Sequence, residues 1–88
     1  MKSVIAVYTT DGWHTYSSRE LIGVATTEKK RDTIVRRYLR NYPYEKLNRN
    51  QINEAVEQIQ QNRQTYGLSE SAGFEIDTEE YDTNTVLE

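Results

Sequence analysis

Five stretches of this chain carry patterned apolar residues, and the spacing within each predicts an element. Residues 3–10, SVIAVYTT, are rich in β-branched and aromatic side chains and apolar on both alternating sets, which suits a strand with neighbours on either side. A second strand, ELIGVA, follows at 20–25. Ile34, Val35, Tyr38, Leu39 and Tyr42 then fall at i, i+1, i+4, i+5 and i+8, one stripe at the helical period. Thr26 or Thr27 can cap the start of this helix and Glu28 suits its first turn, while Pro43 ends it by lacking an N–H and pushing Tyr42 out of helical dihedrals. Asn48, Gln51 and the pair Leu47/Ile52 satisfy the rules for an N-cap, a capping box and a hydrophobic staple, so a second helix starts there. Its buried stripe is expected to be Ile52, Ala55, Val56 and Ile59, with Tyr66 further along and Gly67 as the residue just past the end. After the polar stretch SESAG, residues 74–82 alternate Phe74, Ile76 and Thr78 against Glu75, Asp77 and Glu79, which predicts a half-buried strand with one wet, acidic face.

The order strand, strand, helix, helix, strand, with the most apolar strand first, predicts a ββααβ chain. The expected fold is an α+β two-layer sandwich whose three-stranded antiparallel sheet runs 2-1-3, with both helices on one face. Alternation turns Ile5, Val7, Ile22, Val24, Phe74 and Ile76 toward the helices and Val4, Ala6, Tyr8, Leu21 and Ala25 to the other side. Residues 1–82 are read as a single domain and 83–88 as a frayed tail; Leu87-Glu88 fits a cloning-site remnant and is given no weight. At 88 residues such a domain buries only about 60–65% of its unfolded surface, so every apolar stripe is needed.

Charge adds to this picture. Residues 1–63 hold all eleven cations against seven acids, a balance of +4, and residues 64–88 hold seven acids and no cation, −7. The molecule is therefore dipolar. On the first helix, Lys29, Lys30, Arg36, Arg37 and Arg40 share the face opposite the apolar stripe. The absence of cysteine removes disulfides and thiolate metal sites, and the apolar run at 4–8 is too short for a signal-peptide core or a membrane span, so a cytoplasmic protein is expected.

At IGVATTEKK, residues 22–30, the chain resembles a group of small, mostly uncharacterised bacterial and phage proteins. In that group an opening strand is followed by one ending in Gly-Val, an aromatic residue, a Ser/Thr and then Glu-Lys, which opens a helix, and an acidic strand closes the chain. Val4 to Tyr8, Gly23-Val24, Thr27-Glu28-Lys29 and Phe74 to Asp77 match this layout, whereas Ala25 replaces the aromatic and Arg31 stands where a small residue is common. The group has no established activity, so the resemblance implies the fold and says nothing about function; an accessory protein of a phage or mobile element is the expectation.

Candidate chemistry is sparse. His14 is the only histidine, and Asp11, Ser17 and Ser18 are near it in sequence, but a triad needs a rigid scaffold and a third group orienting the base. No P-loop, Gly-rich dinucleotide fingerprint or EF-hand spacing occurs. The expectation is a protein without catalytic, cofactor-binding or metal-ligating residues that works by contact. Two surfaces are candidates. One is the open sheet face, with Val4, Tyr8 and Leu21 exposed unless Trp13 and Tyr16 of the 11–19 loop fold over them, and here a protein partner or a second copy would bind. The other is the basic face at Arg36, Arg37 and Arg40, fit for an acidic protein or, in the alternative reading, for nucleic acid.

Overall fold

A computed structural model describes residues 3–82; the predicted tail at 83–88 lies outside the described residues. Strands β1 (Ser3–Thr10), β2 (Glu20–Ala25) and β3 (Glu75–Asp82) form one antiparallel sheet in the order β2-β1-β3. Helices α1 (Glu28–Arg40) and α2 (Arg49–Asn62) pack on one face, so the ββααβ two-layer sandwich is observed as expected. Among the described residues no helix is long and apolar enough to cross a membrane.

The start of each helix follows the local rules. Thr27 is the N-cap of α1 and accepts from the Lys30 N–H at 3.1 Å, and Asn48 and Gln51 close a reciprocal capping box on α2 at 2.8 and 2.9 Å. Val35, Leu39, Ile52, Ala55, Val56 and Ile59 meet Val7 and Ile76 in the core, with Leu47, Leu68, Ala72 and Phe74 closing one end. Tyr38, Tyr42, Tyr44 and Phe74 stack edge to face or tilted at that end, and the Tyr42 hydroxyl donates to the Ala72 carbonyl at 3.2 Å.

Three expectations are corrected. Helix α2 ends at Asn62 and is capped by Arg63 in the left-handed conformation (φ 64°); Gly67, also left-handed at φ 82°, lies beyond the helix end, and so does the exposed Tyr66. The early stop frees residues 63–65 to run along the outer edge of β3: Thr65 N–H donates to the Ile76 carbonyl at 2.9 Å and Thr78 N–H to the Arg63 carbonyl at 2.9 Å. Residues 69–72 form a one-turn helix, α3 (Ser69–Ala72), closed by Gly73 at φ 84°. In β2, the phase slips: Val7 faces Gly23 while Tyr8 faces Leu21, leaving Ile22 as the extra residue of a β-bulge. Ala25, opposite Ile5, is thereby buried toward the helices, and Val24, opposite Ala6, stands 53% exposed on the open face, the reverse of strict alternation. Gly23 permits this packing, because a Cβ there would lie 2.9 Å from Cγ2 of Ile34.

Candidate functional site

The open sheet face carries Val4, Ala6 and Tyr8 of β1, Leu21 and Val24 of β2, and Asp77, Glu79 and Tyr81 of β3. Its β3 half is not the wet acidic surface that alternation predicts. Asp77 is 3% exposed, because His14 Nδ1 reaches its Oδ1 and Arg19 Nη2 its Oδ2 at 3.2 Å. A carboxylate can only accept, so His14 carries the hydrogen on Nδ1. Glu75 is buried as well, at the end of the sheet: it accepts from the Thr65 hydroxyl at 2.7 Å and from the N–H groups of Leu68 and Ser69 at 3.2 and 2.9 Å. Burial pushes the Glu75 carboxyl up, but these donors together outweigh it and hold the group below the usual glutamate value.

Arg19 is the hub. Its Nη1 donates to Glu79 Oε2 at 2.5 Å, and its guanidinium carbon lies 4.8 Å from the Tyr8 ring centroid and 4.2 Å from that of Tyr16, so the cation is held between two aromatic faces. The Tyr81 hydroxyl donates to Glu79 at 3.0 Å and lies 3.2 Å from the Tyr8 hydroxyl. Hydrogen bonding with Tyr8, then burial and Glu79, push the Tyr81 phenol well above its ordinary value, while the Arg19 and Tyr81 bonds lower Glu79. The result is a pre-ordered face of one arginine, three tyrosines and two carboxylates.

The 11–19 loop is positioned by its own hydrogen bonds. Asp11 Oδ1 accepts from the Trp13 and Thr15 N–H groups at 3.0 and 3.2 Å and Oδ2 from the Thr15 hydroxyl at 2.8 Å; the Thr15 hydroxyl and then its N–H hold this carboxyl below its ordinary value. Ser18 Oγ donates to the Thr15 carbonyl at 2.8 Å and accepts from the Asp11 N–H at 3.0 Å. His14 takes a left-handed backbone (φ 58°) that aims its ring away from this knot and toward β3. Asp11 and Ser18 therefore brace a loop instead of joining His14 in a triad.

Each residue singled out in the sequence can now be placed. Tyr8 and Val4 are half-buried on the open face, Leu21 is 59% exposed there, and Tyr16 is exposed against Arg19. Trp13 is 84% exposed, so of the alternatives open for the 11–19 loop it does not take that of an indole folded over the sheet face; His14 and Arg19 hold the loop to the sheet and leave the indole outside. Arg37 and Arg40 are exposed on α1, but Arg36 turns to α2 and donates to Asn53 Oδ1 at 2.7 Å, which removes it from the free basic face. Asp32 also lies on α1, bound to Arg31 at 3.0 Å and accepting from Gln60 at 2.8 Å. Sequence reasoning missed Arg19, Asp77, Glu79 and Tyr81 as a unit. The available signal was that Arg19 is the sole cation between Lys2 and Lys29, in a protein whose last strand is acidic.

Among the described residues no three or more His, Cys, Asp or Glu side chains converge as a metal site. Comparison with protein-family models, with curated proteins and with solved structures finds no match.

Proposed function

We propose that this is a small non-enzymatic, cytoplasmic interaction module that binds another protein through its open sheet face. The observation that carries the reading is the exposure of Leu21 and Val24 beside a Tyr16–Arg19–Tyr8 stack whose arginine is locked by Asp77 and Glu79. Tyrosine, tryptophan and arginine dominate the energetics of protein interfaces, and aromatic anchors already fixed in the free protein lose less side-chain freedom on association. A sheet covered by helices on one side ordinarily presents polar residues on the other; here the β1 and β2 half does not.

The basic face of α1 supports a second reading, nucleic-acid binding, through Lys29, Lys30, Arg37 and Arg40, which are exposed and make no salt bridge among the described residues. The two readings part in one experiment. The immobilised protein captures partners from a lysate of its source, alongside Leu21→Lys/Val24→Lys and Arg37→Glu/Arg40→Glu variants, in low and moderate salt. Loss of capture in the first variant, with capture by wild type surviving moderate salt, supports the sheet face. Loss only in the second, with steep salt sensitivity and a shifted nucleic-acid band, replaces it with the alternative.

A further inference from the structure

The two edges of the sheet are treated differently. The outer edge of β3 is occupied by residues 63–65, through the Thr65 to Ile76 and Thr78 to Arg63 main-chain bonds and a bridge between Gln64 and Asp77. Among the described residues no strand lies beside the outer edge of β2. Edges of this kind are normally blunted by lysine, proline or an inward charge, and ELIGVA has none of these beyond Glu20 at its start. Beside that charge, the strand's protective device is the bulge at Ile22.

The bulge also shapes what the edge offers. Ile22 is turned to the helix side, where with Ile34, Tyr38 and Arg37 it lines an open groove of about 230 Å³ between β2 and α1. On the opposite face of the same strand lie Leu21 and Val24. A strand laid along β2 would therefore find apolar contacts for both of its alternating side-chain sets, in addition to main-chain donors and acceptors. The α1 side of the groove is cationic, since Arg37 lines it and Lys30 and Arg40 on the same helix are exposed without a salt bridge among the described residues, while the β2 side carries one exposed acid, Glu20.

Resting on the protein-interaction reading, we propose that the free edge of β2 takes an extended segment of an acidic partner protein as a fourth strand, one apolar side chain entering the Ile22/Ile34/Tyr38 groove and a carboxylate meeting Arg37. Charge decides against a second copy as occupant. A two-fold axis perpendicular to the sheet, the symmetry of edge-to-edge β2 pairing, keeps both helix layers on the same side and brings the two cationic α1 rims together.

The probe is a panel of blocked peptides of about ten residues, a strand's length, alternating valine and threonine with one glutamate at varied positions. Saturable binding to the intact protein is expected for some members, with slowed amide exchange at 20–25. Methylating alternate peptide amides, or Arg37→Glu, lowers affinity by about tenfold or more, and a lysine-for-glutamate peptide recovers binding to Arg37→Glu. Failure of every peptide to bind, or indifference to amide methylation, overturns strand addition. If partner capture is still lost in Leu21→Lys/Val24→Lys, that failure leaves the open-face reading standing; if capture is indifferent to that variant, the underlying reading has failed. A dimer by light scattering that is dissolved by Val24→Lys overturns the choice of occupant.

Discussion

Replacing Asp77 with alanine tests the organisation of the open face. The Asp77 side chain is 5% exposed, and its carboxylate accepts from two groups of the 11–19 loop, His14 Nδ1 and Arg19 Nη2. Hydrogen bonds to a charged group contribute about 1.5–3 kcal/mol each, and removing one partner of a buried pair leaves the other charge uncompensated. Three effects reduce the loss: Arg19 keeps Glu79 at 2.5 Å, the carboxylate no longer has to be desolvated, and the Arg19 side chain retains 15% exposure. The balance is a destabilisation of about 2–4 kcal/mol, a fall in thermal midpoint on the order of 10–25 °C for a domain of this size. Urea titration followed by circular dichroism measures it. Arg19→Ala in the same background is expected to add less than it costs alone, because the two side chains act as one unit. An Asp77→Ala midpoint overlaying wild type, or full additivity of the two changes, would refute the claim that this ionic cluster fastens the loop to the sheet.

Three further outcomes are expected. Glu75→Gln keeps the shape but turns an NH₂ toward a donor, costing about 1–3 kcal/mol. Because the folded Glu75 carboxyl sits below its ordinary 4.5, it stabilises above that pH and the benefit is lost as pH falls through the lower folded value, so acid titration of stability is expected to be shallower in the variant. Gly23→Ala presses a methyl on Ile34 Cγ2 and is expected to cost about 1–3 kcal/mol in a thermal melt, and less in an Ile34→Ala background, where that γ carbon is gone. Leu39→Ala or Ile59→Ala, at fully buried stripe centres, is expected to cost about 2–4 kcal/mol by urea titration.

The elements and their order were legible because each obeys a local rule: the capping box at Asn48/Gln51, the stripe through Val35 and Leu39, and the apolar character of β1 on both faces. Apart from the single turn of α3, which is local, the misses are non-local. The phase of β2 turns on a bulge set by pairing with β1, and alternation in one strand cannot register an extra residue against its neighbour. The end of α2 is fixed by Arg63 and Thr65 pairing with β3, which overrides the usual preference for a glycine past the helix end. The acidic face of β3 looks wet until two groups from the 11–19 loop, His14 and Arg19, some sixty residues away in the chain, are laid on it. The candidate face was thus half visible: Tyr8, Leu21 and Tyr16 stand in it, while the cluster that orders it depends on tertiary structure.

Amide hydrogen exchange of the whole protein, free and then bound to the partner it captures, tests the central claim most directly. Binding through the open face and its β2 edge predicts new protection at Glu20–Ala25 and around Tyr8, with the outer face of α1 changed only near Arg37. Protection confined to the Lys29, Lys30 and Arg40 side of α1, with β2 unchanged, would contradict it.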